Sequence, residues 1–187
     1  MNLLFEDSRA FDNLDKEAYL IYLANKNFYK LFKKTNIDIY KDIVSMITDE
    51  RTEMYSTKSI FLNNKLVGIV NFYDAGEILL RQMFGLGYLM INSEVTDKKI
   101  QDFSANLPDI EDESLYLSRI CIEKTHRGMG YSSEILKFYE NSALQKGYTS
   151  LSLHVHKNNK PALNAYRKFG FYIGTDSNAY LKLLKKL

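Results

Sequence analysis

The strongest constraint in this chain is a pair of glycines set between a strand and a helix. Leu115–Ile122 is an apolar run with strand character; Arg127-Gly128-Met129-Gly130-Tyr131-Ser132 follows it, and an amphipathic helix begins near Tyr131. A helix start exposes backbone N–H groups with no partner inside the helix, and its macrodipole adds about half a positive charge there. Glycine lets the backbone approach an anion with no Cβ in between. Strand, glycine loop and helix N-terminus therefore predict a phosphate cradle, with Arg127, Gly128, Met129, Gly130, Tyr131 and Ser132 as its residues. A Gly-x-Gly pair alone carries little information; the elements on either side give it meaning.

Composition narrows the class. At 187 residues and 45% hydrophobic content the chain suits one domain, 1–187, with a sizeable core. Twenty-five basic against 23 acidic residues leave a net charge of +2, too little excess to pair with a nucleic-acid backbone. The single cysteine, Cys121, excludes an internal disulfide framework and sits in an apolar strand, which favours a small buried hydrophobe over a nucleophile. Met1–Asp7 has no basic leader pattern. The longest apolar stretch, Ile78 to Ile91, is interrupted by Arg81, Gln82, Gly85 and Gly87 and falls short of the ~20 residues that span a bilayer. These features predict a cytoplasmic protein that does not enter a membrane.

Along the chain, residues 2–5 read as a short strand and Leu14–Lys34 as a helix with Leu20, Ala24, Phe28 and Leu31 or Phe32 on one face, capped by Asp12 or Asn13. Ile39, Ile43 and Ile47 mark a second helix over Ile37–Thr48. Tyr19, Tyr22, Tyr29 and Tyr40 on these helices suit packing more than an acceptor pocket. Asn63-Asn64 joins Ser59–Leu62 to Lys65–Phe72 as a hairpin, and Gly68 inside the second strand marks a bulge or a close neighbour. Residues 74–112 form a helical insertion: a buried helix from Glu77 to about Ile91, which Gly85 and Gly87 can break, then a polar loop over Gln101–Ser114 holding Asp102, Asp109, Glu111, Asp112 and Glu113. After the glycine loop, Ile135, Leu136, Tyr139 and Ala143 form the buried stripe of a helix that Gly147 closes. A strand over Thr149–His156, a short helix over Asn159–Lys168, and a hairpin of Phe171–Ile173 with Ala179–Lys186 around a turn at 174–178 complete the chain.

Two motifs taken together resemble the GCN5-related N-acetyltransferase (GNAT) superfamily. Ile120-x-Ile122, four residues, then Arg127-Gly-x-Gly130-x-Ser132 is similar to the family's acyl-CoA signature of Arg or Gln, two residues, Gly, one residue, Gly or Ala. Ser132 departs from that last position; it is small and suits a helix start. Asn159-x-x-Ala162-x-x-x-Tyr166-x-Lys168-x-Gly170-Phe171 matches the family's C-terminal pattern. The likeness covers about residues 115–173, with the 62–70 hairpin as the family's strands two and three.

The resemblance implies an α/β (α+β) fold, a mixed β-sheet flanked by helices in which the parallel strands 115–122 and 150–156 splay apart. It implies acetyl-CoA as cosubstrate and no metal. Pantetheine would bond the main chain of Ile120 and Ile122, the pyrophosphate would sit on 127–132 with Arg127 adding charge, and Asn159 would contact the pantetheine arm or brace its loop. Tyr166 matches the tyrosine placed beside the sulfur as general acid. The base is open: Tyr116 as base or water-holding group, Glu77, Glu113, or a water wire. His154 and His156 share a strand face, with His126 the one further histidine, and suit structure more than metal. The leading reading is acetyl transfer to a primary amine of a small molecule or peptide by direct attack in a ternary complex. A CoA-binding sensor without turnover and a transferase of longer acyl groups are the alternatives, and a homodimer is compatible with either.

Overall fold

The computed structural model of the chain describes residues 3–8, 13–105, 107, 109 and 113–187. Its strands and helices make a mixed α/β fold, a seven-stranded mixed sheet flanked by helices. Two compact units divide the chain: Met1–Phe72, Glu77–Thr96 and Arg119–Met129 in the first, Tyr73–Gly76, Asp97–Ser118 and Gly130–Leu187 in the second.

In the first unit, β1 (Leu4–Asp7), β2 (Thr57–Leu62) and β3 (Lys65–Asp74) pair antiparallel in that order, and β3 neighbours the distal half of β4 (Leu115–Ile122). The hairpin turn is where the asparagines place it: Asn63 and Asn64 take φ of 49° and 61°, the left-handed region that Asn tolerates better than most residues. Both expectations for Gly68 hold. The register slips between Ile60 and Phe61, which face Gly68 and Leu66 and leave Val67 as the extra residue. A Cβ on Gly68 would stand 2.6 Å from the Cys121 carbonyl oxygen, so only glycine lets β3 lie this close to β4.

Two predicted helices change shape, and the one expected over Ile37–Thr48 is found. The Leu14–Lys34 segment divides into α1 (Leu14–Ala24), α2 (Lys26–Tyr29) and a 3-10 turn, Lys30–Phe32. Asn25, a poor helix-interior residue, breaks it at φ −141°, and Lys33 at φ 55° ends it. Asn13 makes no side-chain cap; Asp12, like Asn2, Glu111 and Asp112, lies outside the described residues. α3 (Asn36–Thr48) starts at Thr35, whose hydroxyl accepts the Asp38 N–H at 3.2 Å, and it buries Ile39, Ile43, Met46 and Ile47. α4 (Ile78–Met90) runs unbroken through both glycines and is not buried: Leu79, Leu80, Met83 and Met90 are exposed. A further helix, α5 (Asp97–Ser104), replaces the start of the expected polar loop.

The first unit also buries charge. Arg119 on β4 pairs with Glu53 at 2.7 Å, both nearly inaccessible. Glu17 on α1 is fully buried against the hydroxyl of Ser59, which itself meets Ser8, and desolvation pushes its carboxyl up to about 7.

The second unit orders its strands β4-β5-β7-β6, with β5 at Ser150–His156, β6 at Tyr172–Asp176 and β7 at Tyr180–Lys186. The closing hairpin is as expected, but β6 runs on through Asp176 and shortens the turn to 177–179. α6 (Tyr131–Gln145) buries the predicted stripe of Ile135, Leu136, Tyr139 and Ala143, each large apolar side chain contributing about 1.5–3 kcal/mol. The Tyr139 hydroxyl reaches the carbonyls of Leu115 and Ser152, so α6 clamps β4 to β5. That clamp lies in the only stretch where the two strands have register partners, Leu115–Leu117 with Leu151–Leu153, in parallel. β5 continues along β7 through His156.

Candidate active site

β4 ends at Ile122 and passes through a 3-10 turn, Lys124–His126, into the glycine loop. Gly128 and Gly130 take φ of 78° and 82°, a conformation that costs other L-residues roughly 1–2 kcal/mol. A Cβ on either glycine would meet nothing within 4 Å, so conformation rather than crowding requires glycine here. The N–H of Arg127 donates to Lys124 O at 3.4 Å and that of Ser133 to Gly130 O at 3.2 Å. Between them, the N–H groups of Gly128, Met129, Gly130, Tyr131 and Ser132 have no acceptor among the described residues, and Gly130 at the N-cap supplies no side-chain cap. They are five successive donors at the start of a 15-residue helix, with its dipole behind them.

The Arg127 side chain does not lie free above that loop. Its Nε donates to the Ile122 carbonyl at 2.8 Å, which braces the loop on β4 and occupies one of the main-chain groups expected to receive pantetheine. The register of β4 explains the rest. Glu123 N–H bonds Val67 O at 2.8 Å, and the Cys121 carbonyl faces Gly68. Main-chain groups alternate sides along a strand, so those of Ile120 and Ile122 point to the opposite edge, beyond the end of the pairing with β5. Cys121 is buried, and burial raises its thiol above the ordinary value, against the pull of Arg127; it packs rather than attacks.

The second unit gathers the aromatic candidates. Tyr116 is buried, and its hydroxyl lies 3.2 Å from Nδ1 of His154 on β5. Tyr73 packs edge-on against its ring at 5.6 Å. Tyr166, half-buried on α7 (Lys160–Lys168), packs edge-on against Phe171 at 5.8 Å, and burial pushes its phenol up to about 12. Its hydroxyl has no hydrogen-bond partner among the described residues. Both tyrosines lie near the buried Tyr139, whose phenol they help to hold far above its ordinary value, behind the larger effect of desolvation. Asn159 is committed locally: its Oδ1 accepts the Ala162 N–H at 3.3 Å and caps α7.

His154 is the residue the sequence reading set aside. The alternation of the two strands could have found it: Tyr116 is opposite Ser152, so His154 is the same-face diagonal neighbour. The other proposed bases are Glu77 and Glu113. Glu77 pairs with Arg81 at 2.6 Å, and Glu113 is exposed. His156 accepts the Asn158 N–H at 3.1 Å, and no group of three or more His, Cys, Asp or Glu able to hold a metal occurs among the described residues. In the first unit a cleft of about 390 Å³ opens beside α1, lined by Tyr19, Leu23, Glu123, Lys124 and Arg127 among others. Lys16 ties α1 to its far wall through Glu123 at 2.9 Å and Leu66 O at 2.6 Å.

The model of the acetyltransferase (GNAT) family matches residues 17–171 of this sequence. The chain belongs to the GNAT family. Among curated relatives of this GNAT chain, GCN5-related N-acetyltransferase 6, chloroplastic, of Arabidopsis thaliana is 38% identical over 58 residues, 31% of this chain and 20% of that protein. The match thus spans only a fifth of the relative's length. A solved N-acetyltransferase from Staphylococcus aureus Mu50 superposes with a TM-score of 0.72 at 17% identity, covering 97% of this chain and 100% of that one. The PaiA N-acetyltransferase of Thermoplasma acidophilum, solved with coenzyme A, superposes at 0.58 with 11% identity and all of both chains covered. At these identities the two structures speak for the fold. Among the described residues no helix is long and apolar enough to cross a membrane.

Proposed function

We propose that this GNAT protein transfers an acetyl group from acetyl-CoA to a primary amine of a small molecule or peptide, by direct attack in a ternary complex. The observation that carries this reading is the run of five partnerless N–H groups, Gly128 to Ser132, in a chain of this family. Those donors fit a pyrophosphate, and the coenzyme A in the T. acidophilum relative supports the choice of ligand. When bound, acetyl-CoA supplies an activated acyl carbon and a thiolate leaving group. Ile120 offers its main chain to the pantetheine arm, with Arg127 holding the loop from which it extends.

The chain's own residues then manage two protons. An amine with a pKa near ~10.4 is largely protonated at neutral pH and must lose a proton to attack. Tyr116 and His154 provide the path: with His154 in its Nε2–H tautomer, Nδ1 accepts the Tyr116 proton while the phenol oxygen takes one from the amine. As the C–N bond forms and the C–S bond breaks, Tyr166 donates its proton to the sulfur and the nitrogen gives its second proton to solvent; a phenol held near 12 stays protonated across the working range. Solvent then restores both groups.

The test is thiol release from acetyl-CoA with a library of amines. Tyr166→Phe should lower kcat by on the order of a hundredfold or more while CoA binds as before. His154→Gln should lower kcat/KM and move the rise of its pH profile to higher pH, toward the amine's own ionisation near ~10.4. CoA binding without amine-dependent release would mark a sensor, and faster release from propionyl- or succinyl-CoA a different acyl donor.

A further inference from the structure

α4 is amphipathic the wrong way round. Its polar side chains hold it to its own unit: Arg81 reaches the carbonyls of Glu50 and Thr52 at 3.1 Å each, and the Tyr88 hydroxyl meets Asp49 at 2.8 Å. Gly85 and Leu89 are its buried positions, Gly85 against Met46. Its outer face is apolar over its full length: Leu79 is 74% exposed, Leu80, Met83 and Ile91 60% each, Met90 40% and Phe84 36%. A water-facing helix ordinarily carries charge on that side.

Gly87 completes the stripe. It is exposed, and a Cβ there would meet nothing within 4 Å. A mid-helix glycine destabilises a helix by about 1 kcal/mol relative to alanine, and no neighbour among the described residues requires it. A helix from outside would: glycine at a crossing point brings two backbones together.

We propose that α4 is the core of a two-fold interface between two copies of this chain, the helices crossing at Gly87. The six large side chains expose on the order of 600 Å² of apolar surface, close to the ~800 Å² that each partner brings to a standard interface. Exposed apolar patches beyond a few hundred Å² mark contact sites. No position of the stripe — 79, 80, 83, 84, 87, 90 or 91 — is charged, and Arg51, which stands over the Phe84 ring, is paired to Asp49, so the stripe suits its own image. A two-fold contact needs only such self-complementarity. Arg51, over the Phe84 ring at 4.9 Å, and Lys34, on the Ile91 carbonyl at 2.8 Å, stand at the border of the stripe and are each paired to an aspartate, which is not the basic face that holds an amphipathic helix on a phospholipid headgroup layer.

The experiment measures mass, not transfer, so it stands or falls separately from the proposed reaction. Sedimentation equilibrium of the full chain at micromolar concentration should give a dimer. Leu80→Glu with Met83→Glu should give a monomer, the dissociation constant rising by on the order of a hundredfold or more with an unchanged circular dichroism spectrum. Gly87→Cys should form a covalent dimer on mild oxidation, since Cys121 is the one native cysteine and is buried, whereas Lys137→Cys on the exposed side of α6 should not. A monomeric wild type overturns the proposal, whether or not it sediments with phosphatidylcholine vesicles. So does a dimer untouched by the double substitution.

Discussion

Gly-x-Gly occurs twice in this chain, and the two pairs do different work. Gly128 and Gly130 precede a helix at φ 78° and 82° and leave a run of donors uncovered. Gly85 and Gly87 lie inside a helix of ordinary conformation, where every interior N–H is already used. One pair is needed for its backbone dihedrals and the other for the Cβ it omits: Gly85 stands against Met46, Gly87 faces outward with nothing near it. Spacing is identical; position relative to the preceding strand decides. The second pair follows a strand too, but a 3-10 turn at Ala75–Glu77 and most of two helical turns intervene before Gly85.

The sharpest way to break this contrast is Gly130→Glu. The side chain is forced into the left-handed region, at roughly 1–2 kcal/mol, and sets a negative charge beside the proposed pyrophosphate donors. CoA affinity measured by calorimetry should fall by on the order of a hundredfold or more, with the fold retained. Equal affinity in variant and wild type would remove the cradle, and with it the difference between the two pairs.

The same lesson, one residue type in two surroundings, extends to buried glutamates. Glu53 has Arg119 at 2.7 Å; Glu17 has hydroxyls and one oxygen without a partner. Burial raises Glu17 from an ordinary 4.5 to about 7, so the folded state favours the protonated acid. Its contribution to stability is complete below about 4.5 and is lost as pH rises through 7. Denaturant unfolding should show up to about 3 kcal/mol of stability lost by the wild type between pH 4.5 and 8 relative to Glu17→Gln. Parallel curves for the two proteins would mean that Glu17 ionises as an ordinary surface acid.

Legibility in the sequence followed how local the cause was. The strand, glycine loop and helix at 115–145 were readable because turn chemistry and the Ile135, Leu136, Tyr139, Ala143 stripe act over a few residues. α4 was readable as a helix but not as an outward-facing one: an apolar stripe looks the same whether it faces a core or a partner, and only coordinates show Leu79 at 74% exposure. The break at Asn25 was hidden because the apolar spacing continues through Phe28 and Phe32. Tyr116 was picked out by its place on β4, but His154 was not tied to it, because that contact depends on the parallel register of two strands 38 residues apart. Ile122's carbonyl was assigned to the ligand because nothing in the sequence shows Arg127 folding back on it.

Smaller effects refine the comparison inside α4. Gly87→Ala should stabilise the helix by about 1 kcal/mol, since the added methyl meets no atom of the described residues within 4 Å. Thermal unfolding at dilutions where copies separate should rise by roughly 2–4 °C. At high concentration the gain should shrink, because the methyl holds the two crossing helices apart. A gain independent of concentration would separate Gly87 from any crossing.

Gly85→Ala is the finest discriminator. Its Cβ would stand 2.9 Å from Met46 Cε, the far end of a flexible side chain in a fully buried position. Helix propensity favours alanine by about 1 kcal/mol, and moving a buried methionine methyl by a few tenths of an ångström costs a similar amount. The two should nearly cancel, leaving the melting temperature within about 2 °C of the wild type. A fall of several degrees would show that Met46 has nowhere to go. α4 would then be held to α3 by the close approach that Gly85 allows, and not only by the polar contacts of Arg81 and Tyr88.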